Sequence, residues 1–284
     1  MTKPATGKTI KWANKRHLLS GPYLIWVIGF ILLPLAVIVY YAFTTSEGTL
    51  TAENVLAIAS PIHAKALLLA LQLALICTAI CLILSYPLAM ILRNLGTTSQ
   101  SFIVFLFILP MWMNFMLRIL AWKMLLSNNG VINQVLSTLH LPRQNIINTP
   151  TAVVFCMVYD FLPFMILPLY NSMTRIGNDV IEAARDLGAG SLTVFFKVIV
   201  PLTLSGVISG IIMVFVPALT SFAISDLLGG GKVLLIGNVI EHSFMQEYNW
   251  SLGSGLSFVL MLFVVASMVI AGSFDKEGGG TKVW

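Results

Sequence analysis

Asp179-Val180-Ile181-Glu182-Ala183-Ala184-Arg185-Asp186-Leu187-Gly188, continued by Ala189-Gly190-Ser191 and closed by Val198-Ile199-Val200-Pro201, is a polar stretch set between two greasy ones. Asp179 is placed to cap a helix whose third following residue, Glu182, has capping-box spacing, and Gly188 or Gly190 offers the left-handed stop. Ser191 is placed to cap a second helix through Phe195, Phe196 and Lys197, and Pro201, which cannot donate to the preceding turn, ends it. The stretch therefore reads as a helix-turn-helix between hydrophobic spans, and everything on either side of it follows a membrane pattern.

That pattern is visible in bulk. With 58% hydrophobic and 10% charged residues and a mean hydropathy of +0.92, the chain lies outside the range of soluble domains. The net charge of +5 does not point to nucleic acid, because Lys3, Lys8, Lys11, Lys15 and Arg16 supply five of the sixteen basic residues ahead of the first span. A basic flank of that kind sets topology. Cys77, Cys81 and Cys156 all fall in apolar spans as small hydrophobes, so neither a disulfide framework nor a zinc site is expected. The first span is too long for a signal peptide and lacks a small-residue cleavage site, so it reads as retained.

In chain order, the expected spans are Tyr23 to Phe43, bent at Pro34; Lys65 to Arg93; Ser101 to Leu125, interrupted by Pro110, Asn114, Arg118 and Lys123; Pro150 to Tyr170; Leu202 to Ile224; and Leu252 to Ala271. Six spans place both termini on one side. The basic tail, Arg93, Arg175, Arg185 and Lys197 mark that side as cytoplasmic, against Lys65, Arg143 and Lys232 opposite. The domain reading is a basic cytoplasmic tail over 1–20, one six-span domain over 21–272 containing the cytoplasmic loop 173–201, and a tail over 273–284. No internal repeat is evident, which weighs against a secondary transporter built from two matched halves.

The spacing of Glu182-Ala183-Ala184, three residues, Gly188 and a closing Pro201 resembles the EAA loop of ABC-importer permeases, with Val198 and Val200 where that family usually has Ile and Leu. Downstream, Ser225 to Asn238, together with Pro163-Phe164-Met165 and Pro168-Leu169-Tyr170, is similar to spermidine/putrescine permease subunits, so that the resemblance runs from about Ile25 to Met268. It implies an all-α membrane protein with six transmembrane helices and the type I ABC-importer permease fold. It also implies a second homologous permease, two ATPase copies that bind ATP and magnesium, and an extracytoplasmic polyamine-binding protein, all in a bacterial inner membrane. Glu182, Ala183, Ala184 and Gly188 would form the coupling helix that docks in a groove of the ATPase. Ferric iron, thiamine or sulfate permeases share this pattern, so another solute stays open, as does an ion-coupled secondary transporter.

The chain has no motor of its own. Gly229-Gly230-Gly231-Lys232-Val233 lacks the hydroxyl residue of a phosphate-binding loop, and His17, His63, His140 and His242 are scattered, so no catalytic site is expected. Asp160 stands out, because a carboxylate about 15 Å of helix beyond Pro150 lies near mid-membrane, where charge is costly. With Tyr159 and Phe161 beside it, Asp160 offers a carboxylate for an ammonium and rings for a methylene stem. A structural pair with Arg118 and a protonated packed carboxyl are the alternatives. Trp112, Asn114 and a carbonyl left free near the Pro110 bend are further pathway candidates. Asp226 would either receive cargo at the outer gate or cap a turn, with Glu241 and Glu247 making that face acidic.

Overall fold

The computed structural model describes residues 21–45, 47–94, 105, 107 and 109–275. The basic tail, the connection after Asn94, much of the opening of the expected third span and the Gly-rich end lie outside the described residues. What is described is helical, and its sole bridge outside helices pairs Thr44 with Leu50.

The first helix, α1 (Gly21–Ala42), contains a π turn over Ile28–Leu32. The Leu33 amide reaches back to Ile28 O, and Pro34 follows at once. Proline cannot bond the carbonyl four residues back and crowds it, and the wider turn makes room. Next, α2 (Glu53–Leu56) leads into α3 (Pro61–Asn94), which carries Pro87 inside it. The expected third span is broken: a 3-10 turn over Leu109–Trp112 precedes α4 (Phe115–Leu126), and Asn114 caps α4 by accepting from the Met116 and Leu117 amides at 2.9 and 3.3 Å. A short α5 (Val131–Thr138) follows, and Thr149 then caps α6 (Pro150–Thr174).

After α7 (Asn178–Asp186) the chain enters α8 (Ser191–Leu202), which has a π turn over Phe195–Ile199, and then α9 (Leu204–Thr220). Here the structure corrects three expectations. Gly177, not Asp179, is the N-cap of α7, so Asp179 sits inside the first turn and no capping box forms with Glu182. Gly190, not Ser191, is the N-cap of α8. Pro201 does not end the helix: the Val200 amide bonds Phe195 O in a π turn, the same device as at Pro34, and the axis bends by 68° around Thr203. The fifth span thus closes at Thr220. The residues beyond it form two helices, α10 (Ala223–Gly229) and α11 (Ile236–Met245), before α12 (Trp250–Asp275).

Four described helices, α1, α3, α6 and α12, are long and apolar enough to cross a membrane, and the bent pair α8–α9 makes a fifth. The core is the trio α3, α6 and α9. The close approach of α6 and α9 rests on Gly206 and Gly210, one turn apart. A Cβ at Gly206 would lie 2.5 Å from Ser172 Cβ, and one at Gly210 would lie 2.5 Å from Met165 Sδ. Small residues at this spacing let helix backbones meet in lipid, where apolar burial alone does not drive association. By contrast α1 has no buried residue in its apolar window and packs mainly against α12. A second cluster, containing Ala89, Leu169, Met173, Ile176, Ile181, Val194, Ile199 and Val207, closes the end of the trio that carries α7.

Candidate functional site

The residues of α7 follow an amphipathic pattern that leaves one face free. Ile181, 8% exposed, plugs the second cluster, while Glu182, Ala183, Arg185 and Asp186 face outward and Ala184 is half-buried. The helix closes in a Schellman motif: the Gly188 amide bonds Arg185 O at 2.8 Å, and the Ala189 amide bonds Ala184 O at 3.1 Å. Gly188 takes φ +82°, which a side chain resists, so the glycine of the motif has a conformational reason to be there. Ala184 and Ala189, at the matching positions of that motif, both pack on the cluster. Beyond them Leu187 is 89% exposed, with Leu192, Phe196 and Val180 also exposed. The result is a rigid, charged knob with an uncovered apolar edge.

The start of α7 is fastened by Arg93, which was read from the sequence only as a marker of topology. Its Nη2 donates to Ile176 O at 2.8 Å and to Asn178 Oδ1 at 2.9 Å. The signal available in the sequence was a lone arginine at the end of an otherwise uncharged span.

Inside the helix core, Arg118 of α4 and Asp160 of α6 form an ion pair through Nε and Oδ1 and are 8% and 2% exposed. The Arg118 Nη1 donates to Pro110 O at 2.8 Å, tying the guanidinium to the break itself. The guanidinium also lies 5.8 Å from the centre of the Phe115 ring and 6.0 Å from that of Tyr159. On the second carboxylate oxygen the Cys156 thiol is the described donor, at 3.7 Å, a weak bond. A cavity of about 410 Å3 opens over the pair, walled by Met111, Phe115, Phe161, Phe164, Met213 and Pro217. Of these, Phe161 was read from the sequence as a ring beside Asp160, and the Met and Phe residues elsewhere as helix packing. The ion pair holds the broken third span to α6 and puts an apolar, aromatic chamber over a neutralised carboxylate.

The structure brings Asp160 and Tyr159 together with Arg118, and it separates the other pathway candidates from them. Tyr159 is half-buried and stacks edge-on against Trp122 at 5.1 Å. Trp112 is 76% exposed, packs edge-on against Phe105 at 5.8 Å and does not wall the chamber. The Asn114 side-chain oxygen is occupied in capping α4. Asp226 is exposed in the first turn of α10, which makes it a helix residue and not a cap of the glycine turn. It borders a separate cavity of about 430 Å3 that also receives Glu241, Glu247, His63 and His242. There His242 Nδ1 lies 3.3 Å from Glu247. No group of three His, Cys, Asp or Glu arranged to hold a metal occurs among the described residues.

Comparison with known proteins places these features in context. Residues 82–276 match the family described as binding-protein-dependent transport system inner membrane component. The chain is 38% identical over 247 residues to the spermidine/putrescine transport system permease protein PotB of Haemophilus influenzae, covering 84% of this chain and 86% of that one. It is 37% identical over 253 residues to the PotB protein of Escherichia coli K12, covering 86% and 92%. Among solved structures, a bacterial ABC transporter that imports the acidic polysaccharide alginate superposes with a TM-score of 0.80 at 15% identity, covering 94% of this chain and 97% of that one.

Proposed function

The chain belongs to the binding-protein-dependent transport system inner membrane component family, and from that premise we propose that it is the permease subunit of an ATP-driven ABC importer that carries polyamines, spermidine and putrescine, into the cell. The observation that carries the substrate class is its 37–38% identity with spermidine/putrescine permeases over most of its length. The chain is a multi-pass transport component and not an enzyme. In the assembly proposed here it has six spans, the third being the broken segment that ends in α4. Both termini and the loop 173–201 lie in the cytoplasm of a bacterial inner membrane, and the basic residues of the tail and of that loop support this orientation. A second, homologous permease completes the path, a pair of ATPase subunits binding ATP and magnesium supplies the drive, and an extracytoplasmic polyamine-binding protein delivers the cargo.

Glu182, Ala183, Ala184 and Gly188 are assigned to ATPase coupling. Their support is physical: α7 is closed at its C-terminal end by a Schellman motif, is fixed to the core by Ile181, and exposes charged side chains and an apolar edge. A motor needs such a knob to push on. Asp160 with Tyr159 is assigned to the substrate pathway, because an ammonium suits the carboxylate and methylenes suit the walls of the chamber above it. Trp112, Asn114 and Asp226 belong to the outer part of that pathway, with Asp226 at the acidic cavity where a polycation gathers first. A permease for another solute is the second reading, since the helix α7 serves any ABC importer. Uptake of labelled spermidine by cells holding all partner genes tests the proposal. Transport by the wild type that Glu182→Lys abolishes at unchanged abundance supports it. A wild type that ignores spermidine and carries another solute overturns the substrate assignment.

A further inference from the structure

Arg93 joins three elements through one rigid plane. It stands in the last turn of α3, Ile176 lies in the turn leaving α6, and Asn178 is the first residue of α7. The Ile176 carbonyl lies just past a helix end, where carbonyls lack intrahelical donors, and the guanidinium supplies one. The Asn178 oxygen is held from the same nitrogen, so the start of α7 cannot shift without moving the end of α3. A guanidinium suits this geometry better than an ammonium because its donors are fixed in a plane.

Elsewhere α7 is attached lightly. Ile181 is its buried side chain, and a cavity of about 280 Å3 lies beneath the helix, bordered by Met90, Arg93, Ile181, Glu182, Arg185 and Ser191. A short helix flanked by an open pocket and fastened at its first turn can act as a lever, passing load on its outer face to the fastening. From there a second contact leads inward. Tyr86, seven residues and thus two turns before Arg93 on α3, places its hydroxyl 3.1 Å from Thr203 Oγ1, at the 68° bend between α8 and α9. Its ring also stacks edge-on against Phe195 at 5.4 Å.

We propose that Arg93 is a positioning residue that transmits displacement of α7 to α3, and through Tyr86 to the bend at Thr203, so that ATP-driven motion at the knob reaches the core helices. This rests on the coupling role of α7 stated above. The route is contiguous, and coupling along it is open to direct measurement.

The test uses the complete transporter reconstituted in vesicles and reads ATP hydrolysed per solute imported. Arg93→Gln is expected to raise that ratio several-fold, because hydrolysis proceeds while α7 slips against α3. Arg93→Lys alone is expected to remain uncoupled, because the shorter ammonium does not hold both oxygens from one planar donor, and Arg93→Lys with Asn178→Asp to recover part of the coupling, because an ammonium–carboxylate pair replaces the bond to Asn178. Asn178→Ala, which removes a single bond of the clamp, gives a milder version should Arg93→Gln assemble poorly. A second readout needs no solute: a spin label at Asp186→Cys, selective because the native thiols are buried, gains mobility in Arg93→Gln and loses it again in the double variant. Uptake and hydrolysis falling in proportion, with label mobility unchanged, would overturn the clamp and leave Arg93 as a fold contact. If the wild type carries a solute other than a polyamine, the ratio measured with that solute and the label mobility still decide the clamp, so the two failures are separate results.

Discussion

Arg118 and Asp160 are 8% and 2% exposed inside the helix core, whereas Glu182, Arg185 and Asp186 on α7 all face outward. The first pair is closed on itself: its charges cancel, and the guanidinium has a carbonyl and two ring faces as further partners. The second set is carried by a helix whose C-terminal end is closed by a Schellman motif and whose charged side chains remain exposed. In an apolar medium a charge left without a partner is too costly to keep, so the chain satisfies it internally. At the aqueous surface the same types of residue cost little, and they remain available for another protein. Position relative to the membrane thus decides which charges hold the fold and which are offered to a partner.

The largest expected effect comes from opening the closed pair. Arg118→Ala or Asp160→Ala strands a buried charge, at about 3–5 kcal/mol, so membrane abundance and thermal stability should both collapse. Replacing both together, Arg118→Met with Asp160→Met, should restore abundance, because neither charge is then stranded. Uptake separates structure from transport: if Asp160 meets substrate, the stable double variant still imports nothing. Full uptake by that variant would demote Asp160 to a structural residue.

Reversing a charge of the open set should act the other way. Glu182→Lys is expected to leave abundance and melting temperature unchanged while lowering recovery of the ATPase subunit about tenfold, equivalent to ~1.4 kcal/mol of docking energy. A fall in abundance matching the fall in recovery would mean that Glu182 serves the fold. Between these lies Gly188→Ala, which forces a Cβ on a residue at φ +82° and should cost about 1–2 kcal/mol locally, fraying the end of α7. Hydrogen exchange at the Gly188 and Ala189 amides, which close the Schellman motif, measures it.

The same contrast explains what was legible in the sequence. The motif Glu182-Ala183-Ala184 to Gly188 could be read because capping and helix endings are local, and the glycine stop was found although the N-cap lay two residues earlier than expected, at Gly177 in place of Asp179. Asp160 could be noticed because charge is rare in a span, and Arg118 could be named as its partner, but choosing among pairing, protonation and substrate contact needed the distance between α4 and α6. Pro110 and Pro201 mark where helices are disturbed without saying how. At Pro110 a 3-10 turn forms whose proline carbonyl accepts from Arg118, eight residues on, and at Pro201 a π turn carries the helix through. Arg93 escaped notice because its role depends on Ile176 and Asn178, more than eighty residues away, and pairings at that range leave no local pattern. The Gly206 and Gly210 pair had the right spacing for close helix contact, yet only the packing against Ser172 and Met165 identifies α6 as the neighbour.

The smallest effect tests whether the open region is open for a purpose. Leu187 is 89% exposed at the end of α7, beside Gly188, where burial against the described residues does not explain a large apolar side chain. Leu187→Ser should therefore change stability by less than about 0.5 kcal/mol, as for other exposed positions remote from packing. If the apolar edge is a docking surface, the same substitution removes contact area from the complex, and ATPase recovery at raised salt should fall several-fold. Salt is the useful condition because it weakens the charged contacts made by Glu182 and Arg185 and leaves apolar contact to carry the difference. Unchanged recovery at every salt concentration would confine docking to the charged face. A loss of stability in the isolated subunit would show instead that Leu187 is covered by its own chain, and the contrast between closed core and open knob would weaken at that position.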